Sequence, residues 1–92
     1  LRKKDAELWH WLTLAAMNAQ GIRRTPFKLP VAVTFYWNDR LDIDNHAIMG
    51  KMIVDAMKGR VIEDDNRRWL KSVSHNFHDE DYIQVEIREV RP

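Results

Sequence analysis

Apolar residues recur with a helical period from residue 3 to residue 20. Leu8, Leu12, Ala15, Ala16 and Ala19 share one face, with Trp11 beside them, and that face is expected to be the buried one. Gly21 supplies a stop, and residues 22–30, with Pro26, Pro30 and three basic side chains, read as a loop. Val31, Val33, Phe35 and Trp37 alternate with Ala32, Thr34 and Tyr36, which predicts a strand apolar on both faces and therefore central. A second helix is expected from Asp44 or Asn45, as N-cap, to about Lys58, with Gly59 ending it. Trp69–Phe77 and Tyr82–Val90 read as two strands joined in a hairpin through residues 78–81, with Ile83, Val85 and Ile87 inward. The order helix–strand–helix–strand–strand predicts an α+β fold. Its sheet is expected to be mixed, mainly antiparallel, with the helices on one face.

At 92 residues the chain is expected to form a single domain with a small core. It holds no cysteine, so disulfides and thiolate metal sites are excluded. No apolar run approaches a membrane span and no signal peptide is visible, so a soluble, intracellular (cytoplasmic) protein is expected. Fifteen basic against fourteen acidic residues exclude a generic polycation that coats nucleic acid. The charges are nevertheless in blocks. Arg2-Lys3-Lys4, Arg23-Arg24, Lys58-Gly59-Arg60 and Arg67-Arg68 are basic; residues 39–44, 63–65 and 79–81 are acid-rich. Such blocks commonly mark solvated faces. The chain opens on Leu1 rather than Met, which suggests trimming at the N-terminus.

Asp42-Ile43-Asp44-Asn45 is the informative segment. In extended backbone, residues two apart project to one side, so the two carboxylates point together and repel unless a cation sits between them. A second pair, Asp64-Asp65, follows the second helix, and Val61-Ile62 can lead the chain back to set an Asp beside the first two. Three converging carboxylates suit Mg²⁺ or Mn²⁺. At 100° per residue, Asp44, Lys51 and Asp55 fall at about 0°, −20° and +20° around the helix, one polar stripe from which Lys51 can reach back toward Asp44. Equally, Lys51 can form an i, i+4 pair with Asp55. An EF-hand is excluded, because Ala47 and Ile53 stand where its Gly and Glu belong. No Gly-rich phosphate loop and no Cys or Ser nucleophile beside a base is present. His75 and His78 read as surface residues; His46 is a candidate support for the acidic cluster.

The runs Asp42-Ile-Asp-Asn45, Lys51-Met-Ile-Val-Asp-Ala-Met57 and Gly59-x-Val-Ile-Glu-Asp-Asp65 together resemble the RusA-type Holliday-junction resolvases, over about residues 35 to 90. The resemblance implies a Mg²⁺-dependent, homodimeric endonuclease cutting four-way DNA junctions, of bacterial or phage origin. It implies Asp42, Asp44 and Asp65 as the catalytic, metal-holding carboxylates and Lys51 as the essential basic residue. Asn45, Asp64 and Asp55 would support them. The family opens with a strand ahead of its first helix; that strand has no counterpart before residue 3. Arg23, Arg24, Arg40, Lys58, Arg60, Arg67 and Arg68 are candidates for phosphate contacts, which position DNA without reading sequence. No small-molecule cofactor is expected. Two other readings remain: a nucleotidyltransferase-like metal enzyme, whose usual Gly-Ser loop is missing, and a DNA-binding module that does not cleave.

Overall fold

The computed structural model describes residues 3–91, so Arg2 of the first basic block lies outside the described residues. Helix α1 (Lys3–Ala19) precedes strand β1 (Val31–Trp37). A 3-10 turn (Ile43–His46) runs into helix α2 (Ala47–Met57), and strands β2 (Leu70–Phe77) and β3 (Gln84–Glu89) follow. The α+β class and the element order are as the sequence pattern implies.

Strand β1 is the centre of the molecule. Val31, Val33, Phe35 and Trp37 are buried and meet Ile53, Val54 and Met57 of α2, Met17 of α1, and Val61 and Ile62. The sheet order is β2-β1-β3, with β1 parallel to β2 and antiparallel to β3. The expected β2–β3 hairpin is therefore not formed, and the sheet has one parallel and one antiparallel pairing. Placing β1 between the two satisfies the backbone donors and acceptors on both its edges, which a hairpin would have left half unpaired. The α2 crossover supplies the long connection that a parallel pair requires. Beyond β2, the His78 amide donates to the Trp37 carbonyl across the end of β1 (3.0 Å), where the chain turns toward β3.

Helix α1 packs through the opposite side from the one its strongest apolar stripe suggests. Met17 is buried, Trp9 meets Trp37 edge-on at 6.2 Å, and Thr13 is half-buried, its hydroxyl donating to the Trp9 carbonyl (2.8 Å). Leu8, Trp11 and Leu12 are exposed. Apolar residues run round most of this helix, so periodicity alone does not choose the buried side; the large rings Trp9 and Trp37 do.

Helix α2 begins later than expected. Asp44 and Asn45 lie inside the 3-10 turn, Asp42 precedes it in extended backbone, and no side chain caps it. At the other end Gly59 takes φ +78°, a left-handed conformation that glycine adopts without strain, and the chain reverses there. Gly50 permits close approach of α2 to the sheet: a Cβ there would lie 3.0 Å from His75 Cε1 and 3.1 Å from Phe35 Cε2. None of the described helices is long and apolar enough to cross a membrane.

Candidate active site

The segment from Asn38 to His46 leaves the carboxyl end of β1 and carries Asp42 and Asp44. His46, which the sequence offers only as a possible support, is fully buried, the one such polar residue among the described residues. Its ring lies tilted on Trp37 (4.6 Å between centroids) and edge-on to Phe77 (5.4 Å). Nε2 is 2.8 Å from both oxygens of Asp39, and Nδ1 is 3.3 Å from the Ile43 carbonyl. Both neighbours are acceptors and the carboxylate is the stronger, so the ring donates from Nε2 to Asp39 and the Ile43 carbonyl is the weaker contact. Asp39 Oδ1 also accepts from the Leu41 amide (2.9 Å), and the Asn45 amide donates to the Asp42 carbonyl (3.0 Å). Burial pushes the Asp39 carboxyl up, but the His46 and Leu41 hydrogen bonds and the imidazole's charge together hold it below its ordinary value. Asp42 and Asp44 are exposed, on a turn fixed from beneath, and neither carboxylate has a hydrogen-bond or ion-pair partner among the described residues.

The second acidic group stands against the other half of α2. Asp55 Oδ1 is buried without a hydrogen bond and lies 3.8 Å from Lys51 Nζ and 3.4 Å from Lys58 Nζ. Lys58 Nζ is also 3.6 Å from Asp65 Oδ2. The charge of Asp65 chiefly, against desolvation and with help from Asp55 and Asp64, raises the Lys58 ammonium above its usual pKa. Asp64 is committed to its own turn. Its oxygens accept from the Asp65 amide (2.8 Å) and the Asn66 side chain (3.1 Å), and the first of these chiefly lowers its pKa.

Two expectations change here. Lys51 turns its ammonium to Asp55 rather than back to Asp44, because the α-helix proper brings i, i+4 neighbours together while Asp44 lies in the tighter turn ahead of it. Asp65 pairs with Lys58, just past the end of α2, and lines the hollow that reaches Ala47 and Gly50, whereas Asp42 and Asp44 lie ahead of the helix start. Among the described residues, no three Asp, Glu or His side chains gather to hold a metal. The donors nonetheless suit a hard cation, since Asp42 and Asp44 are exposed carboxylates two residues apart with nothing among the described residues to neutralise them. A hollow of about 280 Å³ between α2 and β2 links Lys51 and Asp65 over a floor of Ala47, Gly50, Val54 and Val73, with His75 at its wall. The larger groove beside α1, about 410 Å³, is lined mainly by aliphatic side chains and holds no carboxylate or basic group.

His75 is not a free surface residue. It stacks on Phe35 (5.3 Å), and its Nδ1 accepts from Trp37 Nε1 (3.0 Å); burial, then the charge of His46, lowers its pKa and favours the neutral ring this bond needs. Among the basic candidates, Arg23, Arg24, Arg40 and Arg67 are exposed. Arg68 lies over the Trp69 ring at 5.1 Å. Arg60 is not free for phosphate: its guanidinium donates to the Ile22 carbonyl (Nε, 3.0 Å) and to Asn18 Oδ1 (2.8 Å), clamping the loop after α1. Lys58 is likewise engaged, by Asp55 and Asp65. Asp39 is the functional candidate that sequence reasoning missed. It lies seven residues from its histidine, a spacing with no recognised signature, and the only hint was a histidine at the start of an apolar helix.

A scan against protein-family models gave no match to this chain, and searches of curated proteins and of solved structures gave none either.

Proposed function

We propose that this chain is a Mg²⁺-dependent endonuclease acting on branched DNA, with four-way junctions as its substrate in the manner of the RusA-type resolvases it resembles. The observation that carries the reading is the exposed, unneutralised pair Asp42 and Asp44, held on a pinned turn at the carboxyl end of the central strand. Asp42 and Asp44 would hold the ion, with Asp65 as a third carboxylate. When bound, a divalent cation supplies a water of lowered pKa and stabilises charge at the phosphate. Lys51, at the rim of the hollow, neutralises charge on the scissile phosphate. Arg40, adjacent in chain to the acidic turn, and Arg23, Arg24, Arg67 and Arg68 contact the DNA backbone and fix its register. A homodimer is the working unit, because each chain offers one acidic turn and resolution needs two symmetric nicks. The protein would act in the cytoplasm of a bacterium, or of one infected by the phage encoding it.

One observation favours a second reading, a DNA-binding module that does not cleave: Asp65 is ion-paired to Lys58, and among the described residues no three Asp, Glu or His side chains gather to hold a metal. A synthetic four-way junction assayed beside a matched linear duplex, with and without Mg²⁺, separates the two. Paired cuts in the junction alone, dependent on Mg²⁺, support the nuclease. Tight junction binding without product supports the module, and equal treatment of both DNAs contradicts both.

A further inference from the structure

Along the segment between β1 and α2 the fastenings fall on every second residue. Asp39 holds the His46 ring, the Leu41 amide is bonded to Asp39, and the Ile43 carbonyl faces the same ring. Between these points stand Arg40, Asp42 and Asp44, all exposed and all charged. The fastening is made from beneath by an imidazole with no exposed surface, itself wedged between Trp37 and Phe77 of adjacent strands. Burying a polar ring against a surface turn is costly unless its donor is satisfied, and Asp39 satisfies it, so the turn is held in register with the rigid end of the sheet.

We infer that Asp39 and His46 are a positioning pair for Asp42 and Asp44: they set the two carboxylates for a divalent cation while touching neither the cation nor DNA. This deepens the nuclease reading and rests on it. Two mutually repelling carboxylates on a free loop would separate. Anchoring the turn at Asp39 and Leu41, immediately ahead of them, with Ile43 seated against the buried ring, keeps them together at no cost when the cation arrives. Neither bond of the pair removes or adds a ligand, so loosening it weakens cation affinity without abolishing the site. Polar groups that orient metal ligands from behind typically control affinity by tenfold or more.

The test is direct Mn²⁺ binding by isothermal titration calorimetry on the full chain, with Mg²⁺ dependence of junction cleavage as the second readout. Asp39→Asn keeps the shape and the Leu41 bond but removes the charge. It is expected to weaken Mn²⁺ binding by about tenfold. The Mg²⁺ concentration for half-maximal cleavage should rise by the same factor, with turnover at saturating Mg²⁺ near that of the parent. His46→Gln, which retains a donor, should show the same shift, and melting curves identify any variant that has lost its fold. If Asp39→Asn and a folded His46→Gln bind Mn²⁺ like the parent while Asp44→Asn does not, the pair is only structural and the nuclease reading stands. If Asp44→Asn also binds like the parent, the nuclease reading falls and takes this inference with it.

Discussion

Two acidic groups lie along α2 and fare differently. At the start of the helix, Asp42 and Asp44 are exposed and unpaired, while the group beside them that is paired, Asp39, is tied to a buried histidine. Against the later half, Asp55 and Asp65 share the Lys58 ammonium, Lys51 adds a second cation, and Asp64 is spent on its own turn. In sequence the two groups look alike, each a close pair of aspartates. The difference is where the opposite charge comes from. The second group draws it from the protein and closes a turn; the first leaves it to come from outside. The pair that would first capture the cation is assigned to the first group on that ground, with Asp65 and Lys51 of the second completing the proposed site.

The largest expected effect comes from breaking the first group. Asp44→Asn should reduce junction cleavage by about 10²–10³-fold, the scale of losing one preorganised electrostatic group. Its melting temperature should hardly move, because the residue is exposed and unpaired. A few-fold change in cleavage would erase the distinction between the groups.

Next in size, Gly50→Ala disturbs the second region and spares the first. Its methyl would press on His75 and Phe35, two stacked rings with little freedom to yield. Overpacking of about 1–3 kcal/mol, reduced by about 1 kcal/mol of helix propensity, predicts a modest net loss in a urea titration. Mn²⁺ affinity at Asp42 and Asp44 should be unchanged. If affinity falls in step with stability, the two regions are not independent.

Much of the fold was legible in the chain, and what was not has identifiable causes. The β1 strand announces itself because both its faces are apolar, and the alternation of Ile83, Val85 and Ile87 with polar neighbours fixes the face of β3. The buried side of α1 was not legible, since Leu8 and Leu12 are as apolar as Trp9 and Met17 and only tertiary packing decides between them. Nor was the strand order. The polar residues 78–81 look like a hairpin turn, and nothing local shows that β1 lies between β2 and β3. The direction of Lys51 was ambiguous between two aspartates on one stripe, and the shift from 3-10 turn to α-helix settled it toward Asp55. Asp42 and Asp44 as exposed acids were readable; Asp39 beneath them was not.

Smaller effects sharpen the contrast further. Lys58→Met should lower the melting temperature slightly, since it leaves Asp55 and Asp65 without their shared cation, and should leave junction affinity intact. A loss of DNA binding equal to that from Arg40→Ala would make Lys58 a phosphate contact instead. Acid should loosen the two regions in different windows. His75 has a lowered pKa in the fold, so the unfolded chain takes up the proton first. Its contribution to stability is complete above about 6.5 and is lost as pH falls from there toward the folded value. Asp39 is also lowered, but as a carboxylate: its contribution is complete above about 3.8 and is lost only as pH falls through its folded value. Melting temperature should therefore slope downward below pH 6.5, and His75→Gln should flatten that slope while leaving the loss below pH 4.

The most direct measurement is Mg²⁺-dependent cleavage of a four-way junction by Asp44→Asn and Asp55→Asn, assayed side by side with the parent chain. Free carboxylates at the start of α2 and neutralised ones beside its later half predict that Asp44→Asn loses cleavage while Asp55→Asn stays within a few-fold of the parent. Cleavage retained by Asp44→Asn and lost by a folded Asp55→Asn would contradict the account.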